Sequence, residues 1–285
     1  MRLRTMTMAD IAAGLGLSKI AGWNQTAADW ERFLRASPEG CFVAELEGEV
    51  CGTVTTISYE NRFAWVGMVL VDPKRRSKGI GTKLLDAAIK HLDDQKISTI
   101  KLDATPQGKP LYQKMGFVPE YEIERWTLRR AITDLGLADD RAPYQTLTVP
   151  LSDSIVDNDH EAFGADRSFL LESLHQNAPE FTMEIRNNGV LQGYTFGRRG
   201  LFADHLGPWL AKNASSARDL LETFLARSRR ETLIVDCLKV NNVAVSLLKS
   251  YGFTYSRLLT RMYRGTNAFP GRPDILCAIL GPEFG

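Results

Sequence analysis

The stretch Val66-Gly67-Met68-Val69-Leu70-Val71-Asp72-Pro73-Lys74-Arg75-Arg76-Ser77-Lys78-Gly79-Ile80-Gly81-Thr82-Lys83 decides how the rest of the chain is read. Residues 68–71 are apolar without polar alternation, the pattern of a buried strand. Pro73 ends that strand because proline has no N–H to give to a ladder. Five cations follow within ten residues, Lys74, Arg75, Arg76, Lys78 and Lys83, with Gly79 and Gly81 among them. Ile80, Leu84, Leu85, Ala88, Ile89 and Leu92 then recur at helical spacing and mark one face of an amphipathic helix.

Strand, glycine-containing basic turn and helix, in that order, make an anion site. The first N–H groups of a helix have no internal partner, and the helix dipole makes that end positive. Glycines let backbone approach a phosphate closely, and Arg76 can fork onto two oxygens. The Walker pattern is absent. The dinucleotide fingerprint fails because Leu84 stands where its third glycine belongs. What remains is R-x-x-G-x-G, Arg76 to Gly81, directly after a V-D-P strand end. This resembles motif A of the GCN5-related N-acetyltransferases (GNAT), which hold the diphosphate of acetyl-CoA there. The resemblance implies cofactor contacts from Val69, Leu70, Val71, Arg75, Arg76, Ser77, Lys78, Gly79, Ile80, Gly81, Thr82 and Lys83.

A second segment, L-D-A-T-P-Q-G-K-P-L-Y-Q-K-M-G-F from Leu102 to Phe117, resembles motif B of the same family, whose core is L-Y-x-x-x-G-F. Tyr112 holds the tyrosine position, which implies a general acid for the departing thiolate. Where the family often has Asn, against the pantetheine arm, this chain has Thr105, which the resemblance implies as a further cofactor contact.

Composition bounds the remaining classes. A chain of 285 residues suggests one large domain or two ordinary ones, and 44% apolar with 24% charged residues permits a full core. Net charge is +1, which gives no global case for nucleic acid or membrane. The four cysteines, Cys41, Cys51, Cys237 and Cys277, show neither C-x-x-C nor a disulfide framework and read as reduced core thiols, consistent with a cytoplasmic address. The four histidines have no ligand spacing, so no structural metal is expected. No stretch approaches the length of a membrane span.

Along the chain, a strand is expected over 2–6, then helices over 7–20 and 26–35, the second with Trp30, Phe33 and Leu34 inward. Strands over 41–46 and 50–59 meet at Glu47-Gly48-Glu49, a hairpin signal. A strand over 62–71 leads into the basic turn. A short strand over 99–103, a helix over 108–115 and a strand from Phe117 to about residue 128 follow. The pattern weakens over 131–150, read as a linker passing into a strand at 144–149.

The chain also repeats. Shifted by 136 residues, Leu84-Leu85 falls on Leu220-Leu221 and Gly116-Phe117 on Gly252-Phe253. A second copy would have a hairpin over 181–198 turning at Asn187-Asn188-Gly189, and helices over 215–227 and 241–250. Under the same shift Arg76 meets Lys212, Gly79 meets Ser215, Gly81 meets Ala217 and Tyr112 meets Leu248, so the copy would keep the fold and lose the chemistry. The expectation is α/β (mixed α+β) architecture, a mostly antiparallel sheet flanked by helices, in two GNAT-like domains: 1–130 catalytic and acetyl-CoA-binding, 131–144 linker, 145–285 degenerate. The implied reaction is acetyl transfer from acetyl-CoA to a primary amine of a small molecule or peptide, by a monomer or homodimer. Glu45, Glu60, Asp103 and Glu122 are candidate bases, and Trp126, Asp166, Arg167, Arg198 and Arg261 candidate acceptor contacts. A non-catalytic acyl-CoA sensor and a plain phosphate-binding module are the alternatives.

Overall fold

The computed structural model describes residues 1–131, 145–146 and 151–285; the expected linker, 131–144, lies almost wholly outside them, as does most of the strand expected over 144–149. The chain divides into two compact units that are not contiguous halves. Unit 1 comprises 1–120, 261–268 and Phe284; unit 2 comprises 121–260, 269–283 and Gly285. Residues 121–129 belong with the second copy and 261–268 with the first.

Unit 1 begins with β1 (Arg2–Thr5), α1 (Ile11–Ile20) and α2 (Ala27–Ala36). Thr26 and Asp29 form a capping box at the start of α2, whose Trp30, Phe33 and Leu34 are buried as their spacing requires. Antiparallel strands β2 (Phe42–Leu46), β3 (Glu49–Tyr59) and β4 (Phe63–Val71) follow, with the hairpin turn at Glu47 and Gly48, both at positive φ. Helix α3 (Ile80–Asp94) buries Ile80, Leu84, Leu85, Ala88, Ile89 and Leu92 against this sheet, and burial of each large side chain contributes roughly 1.5–3 kcal/mol. Then come β5 (Thr99–Ala104), parallel to β4, α4 (Lys109–Lys114) and the start of β6 (Val118–Arg129).

Unit 2 repeats the plan. After β7 (Gln145–Thr146), α5 (Asp153–Phe163) and α6 (Ser168–Asn177) come antiparallel β8 (Met183–Asn187), β9 (Val190–Arg199) and β10 (Asp204–Ala211). Helix α7 (Ala214–Arg227), β11 (Thr232–Leu238) parallel to β10, α8 (Asn242–Ser250), β12 (Thr254–Gly265) and β13 (Leu276–Ala278) complete the chain. The buried face of α7 carries Leu220, Leu221 and Phe224.

The repeat extends to the irregularities. β4 and β10 each carry a register shift against the preceding strand, between Gly67 and Leu70 and between Leu206 and Trp209. A pair of buried ion pairs is duplicated too. Arg261 grips Asp103 in unit 1 and Arg125 grips Asp236 in unit 2, each through Nε and Nη2. The two arginines are 136 residues apart, so the last strand of each copy supplies the partner for the other copy's aspartate.

Candidate active site

The site of unit 1 starts where β4 leaves β5. The two strands pair at Ala64↔Ile100 and Trp65↔Lys101, and among the described residues no pairing continues past that point. On its other side β4 stays paired with β3 through Leu70 and Val71. The edge of Val69, Leu70 and Val71 that faces β5 is therefore a row of backbone groups open to an extended ligand. The bulge prepares this edge. Met68 is held at φ 50°, uncommon for a non-glycine residue, and its carbonyl accepts from Thr53 Oγ1 at 2.8 Å.

Eight residues, Asp72 to Gly79, join β4 to α3. Asp72 accepts from the Lys74 N–H at 2.9 Å and starts the turn. Ser77 and Gly79 both adopt left-handed conformations, at φ 61° and 73°. Backbone of this kind turns successive N–H groups into one concavity that suits an anion. Gly79 is the N-cap of α3, and no side chain caps the helix. The first-turn N–H groups of Ile80, Gly81 and Thr82 thus point into an end that carries the positive dipole. Of the expected cations, Arg75 is paired with Glu47 at 3.0 Å and Arg76 donates through Nε to the Val71 carbonyl at 3.2 Å. Lys78 and Lys83 are exposed. Ile80 is buried, so it presents only its backbone. Gly81 differs from Gly79: a Cβ there would meet Val71 and Leu111 at ordinary distances of 3.6 and 3.9 Å. The conformational demand in this loop rests on Gly79, whose φ is 73° and whose Cβ position faces open space.

Tyr112 lies on α4, half-buried, with its ring edge-on to Phe117 at 6.0 Å. The Phe117 N–H bonds the Tyr112 carbonyl and the Gly116 N–H bonds that of Gln113, with Gly116 at φ 85°. This is a Schellman motif, and it explains the spacing Y-x-x-x-G-F: the helix end and the Tyr–Phe contact are one device. Burial pushes the Tyr112 phenol up to about 12. Thr105 Oγ1 accepts from the Gly108 N–H at 3.2 Å, so its oxygen already shapes this turn. Sequence reasoning missed Gly108. A Cβ there would sit 2.9 Å from the Tyr112 ring and 3.4 Å from Thr105 Oγ1. The signal was a glycine four residues ahead of the tyrosine, one turn back on the same face.

The four candidate bases are all bound by cations: Glu45 by Arg4 at 2.6 Å, Glu60 by Arg62 at 3.2 Å, Asp103 by Arg261 at 2.9 Å and Glu122 by Lys239 at 2.5 Å. Among the acceptor candidates, Arg167 is locked by Asp159, Arg261 by Asp103 while lying over the Trp65 ring, and Arg198 holds Glu283. Asp166 accepts from the Ser168 N–H, the capping role that its position suggests. The Trp126 ring is buried in the unit 2 core.

In unit 2 the same framework is closed. Only Lys212 and Asn213 join β10 to α7, against eight residues in unit 1. The residue-by-residue match of Arg76 to Lys212 therefore does not hold. The loop has contracted, and the capping position of Gly79 is taken by Asn213, whose side chain accepts from the Ser216 N–H at 2.8 Å. The strand edge is filled as well. β13 pairs with β10 at Trp209↔Ala278 and Leu210↔Leu276 and with β11 at Cys237↔Ala278. The Ile279 N–H bonds the Asp236 carbonyl at 3.0 Å, and Asn241 Nδ2 donates to the Leu276 carbonyl at 3.1 Å. Gly207 has no room for a side chain, since a Cβ would meet the Ile279 carbonyl. α8 ends as α4 does, with the Phe253 N–H on the Leu248 carbonyl and Gly252 at φ 81°, but Leu248 stands in place of Tyr112.

Two family models match the chain: the acetyltransferase (GNAT) family over residues 16–117, and an acetyltransferase (GNAT) domain over 155–277. The chain carries two GNAT domains in tandem. Proteins of this family transfer an acyl group from acyl-CoA to an amine. Among its relatives are the holothin acyltransferase of Pseudoalteromonas sp. (strain SANK 73390), 27% identical over 92% of this chain and 87% of that protein, and the uncharacterized N-acetyltransferase YitH of Bacillus subtilis (strain 168), 28% identical over 61% and 60%. In fold it is similar to a putative acetyltransferase from Pyrococcus horikoshii, with TM-score 0.83 and 24% identity over 100% of this chain and 95% of the other. It is also similar to a tandem GNAT protein from the clavulanic acid biosynthesis pathway, with TM-score 0.63 and 14% identity over 93% and 98%. The mixed sheet with flanking helices is the expected GNAT architecture, present twice. Among the described residues, no helix is long and apolar enough to cross a membrane.

Proposed function

We propose that unit 1 is an acetyl-CoA-dependent N-acetyltransferase acting on a primary amine of a small molecule or peptide, and that unit 2 is a copy that takes up no cofactor. One observation carries this reading: in unit 1 the open edge of β4 runs directly into an uncapped, glycine-started helix flanked by exposed lysines, and in unit 2 both features are closed.

The acetyl thioester would supply the activated acyl group. The Val69, Leu70 and Val71 backbone would pair with the amides of the pantetheine arm as an added strand. The N–H groups of Ser77 to Thr82 would take the diphosphate, with Arg76, Lys78 and Lys83 adding full charges. Backbone N–H groups near Leu70 and Val71 would steady the oxyanion that forms as the amine attacks. Tyr112 would donate to the departing sulfur. A phenol held near 12 is a weaker acid than a thiol of roughly 8.5, so its service is a hydrogen bond in the transition state. A lysine-like amine, with a pKa of about 10.4, is mostly charged near neutrality and must lose a proton first. With Glu45, Glu60, Asp103 and Glu122 all cation-bound, that proton would leave through water.

The test is release of free CoA from acetyl-CoA across a panel of primary amines, with Tyr112→Phe as control. Amine-dependent release that falls in the variant supports the enzyme. Tight cofactor binding without turnover on any amine would mark a sensor instead.

A further inference from the structure

Three buried arginines in this chain are closed the same way. Arg125 donates through Nε and Nη2 to Asp236 at 2.7 and 2.6 Å. Arg167 does so to Asp159 at 2.8 and 2.9 Å, and Arg261 to Asp103 at 2.9 and 2.9 Å. Each side-on fork meets the two oxygens of one carboxylate. Arg257, on the part of β12 that belongs to unit 2, has the fork without the carboxylate. Among the described residues, its buried Nε has no acceptor and its guanidinium forms no ion pair. A buried N–H left this way costs stability.

The charges near it sharpen the point. Burial and Arg125 push the Arg257 guanidinium down to about 10, against the pull of Asp236 and Glu283. Both carboxylates are already committed. Asp236 holds Arg125 and lies 3.1 Å from His205 Nε2, and Glu283 holds Arg198. Burial lowers the His205 pKa, which favours the neutral ring, and a histidine has no negative charge to offer. Among the described residues, three guanidinium groups, Arg125, Arg198 and Arg257, therefore share two carboxylates, which leaves this part of unit 2 one negative charge short there.

We propose that Arg257 anchors a binding site in unit 2 for a small monocarboxylate, received side-on by its Nε–H and neighbouring Nη–H. A single planar carboxylate matches both the missing charge and the two parallel donors. A phosphate dianion would bring a second negative charge, one more than the described residues call for. The site involves none of the acyl-CoA residues of unit 1, so it does not depend on the reading given under Proposed function.

Nuclear magnetic resonance of the full chain labelled with 15N-arginine tests this. The Arg257 Nε–H signal is the one missing from Arg257→Lys, whose fold is checked by unmoved Arg125 and Arg167 signals; Arg257→Gln serves if the lysine variant does not fold. Sodium acetate titrated at constant ionic strength against sodium chloride should move that signal saturably. Acetate should also raise the melting temperature of the parent chain and not of Arg257→Gln. No saturable movement, equal movement in chloride alone, or saturation by inorganic phosphate at lower concentration than acetate would each overturn the assignment.

Discussion

The two units offer the same slot in opposite states. In unit 1 the strands β4 and β5 part beyond Trp65 and Lys101, and the loop after β4 leaves a helix end uncapped. In unit 2, β13 lies between β10 and β11, and Asn213 caps the helix. What is common to both is what a fold needs: the bulge in the strand, the buried face of the helix, the glycine that ends α4 and α8, and the swapped Arg–Asp pair. What differs is what a cofactor needs. On the function proposed for the two units, a duplicated domain loses its ligand by supplying from its own chain the hydrogen bonds the ligand would have made. The backbone groups of the slot must be paired in either case.

The largest effects should come from the common parts. Arg261→Ala leaves Asp103 buried without its partner and should cost about 3–5 kcal/mol in urea unfolding. Arg125→Ala should cost less, because His205 still faces Asp236. Equal losses would deny that the two pairs differ in their surroundings.

Next come the parts that differ. Tyr112→Phe should lower kcat by about 10²–10³-fold with cofactor affinity unchanged, and Leu248→Ala should leave kcat as it is in chain that remains folded. Gly108→Ala should act as a weaker form of Tyr112→Phe, since the new methyl displaces the ring. Steady-state kinetics of the three variants side by side settles this. Gly79→Val forces a branched residue into a left-handed conformation, at a cost of about 1–2 kcal/mol. It should weaken acetyl-CoA binding by tenfold or more, while Gly81→Ala changes it little.

The smallest effect is a titration. Lys101 is buried in unit 1, and burial lowers its pKa to about 8, with Glu120 opposing. The folded value lies below the unfolded one, so the unfolded chain keeps this proton between about pH 8 and 10.5. Stability contributed through Lys101 therefore rises with pH across that window. In unit 2 the aligned residue is Ile234, and Lys101→Ile should remove this slope. The Lys101 side-chain carbon signal, followed by nuclear magnetic resonance, should titrate well before those of exposed lysines.

Much of this was legible from residues alone. The spacing of Ile80, Leu84 and Leu85, the V-D-P strand end and the Gly116-Phe117 helix stop each act within one turn or one strand. The 136-residue shift also exposed the repeat. It holds through the helices and from Arg125 to Arg261, but the strands move differently: Ala64 corresponds to Asp204 and Ile100 to Leu233 through their parallel pairing. A single shift therefore misaligned the loop and hid its contraction. The exchange of 121–129 and 261–268 was not legible, because β6 and β12 have the same pattern and nothing local tells either which copy to join. β13 was missed for a related reason: a three-residue strand is stabilised only by the neighbours it finds.

Calorimetric titration of the full chain with acetyl-CoA tests the central claim most directly. Binding of one molecule per chain, abolished or strongly weakened by Gly79→Val and unaffected by Asn213→Gly, is the predicted result. Two bound molecules, or full affinity in the Gly79→Val chain, would contradict it.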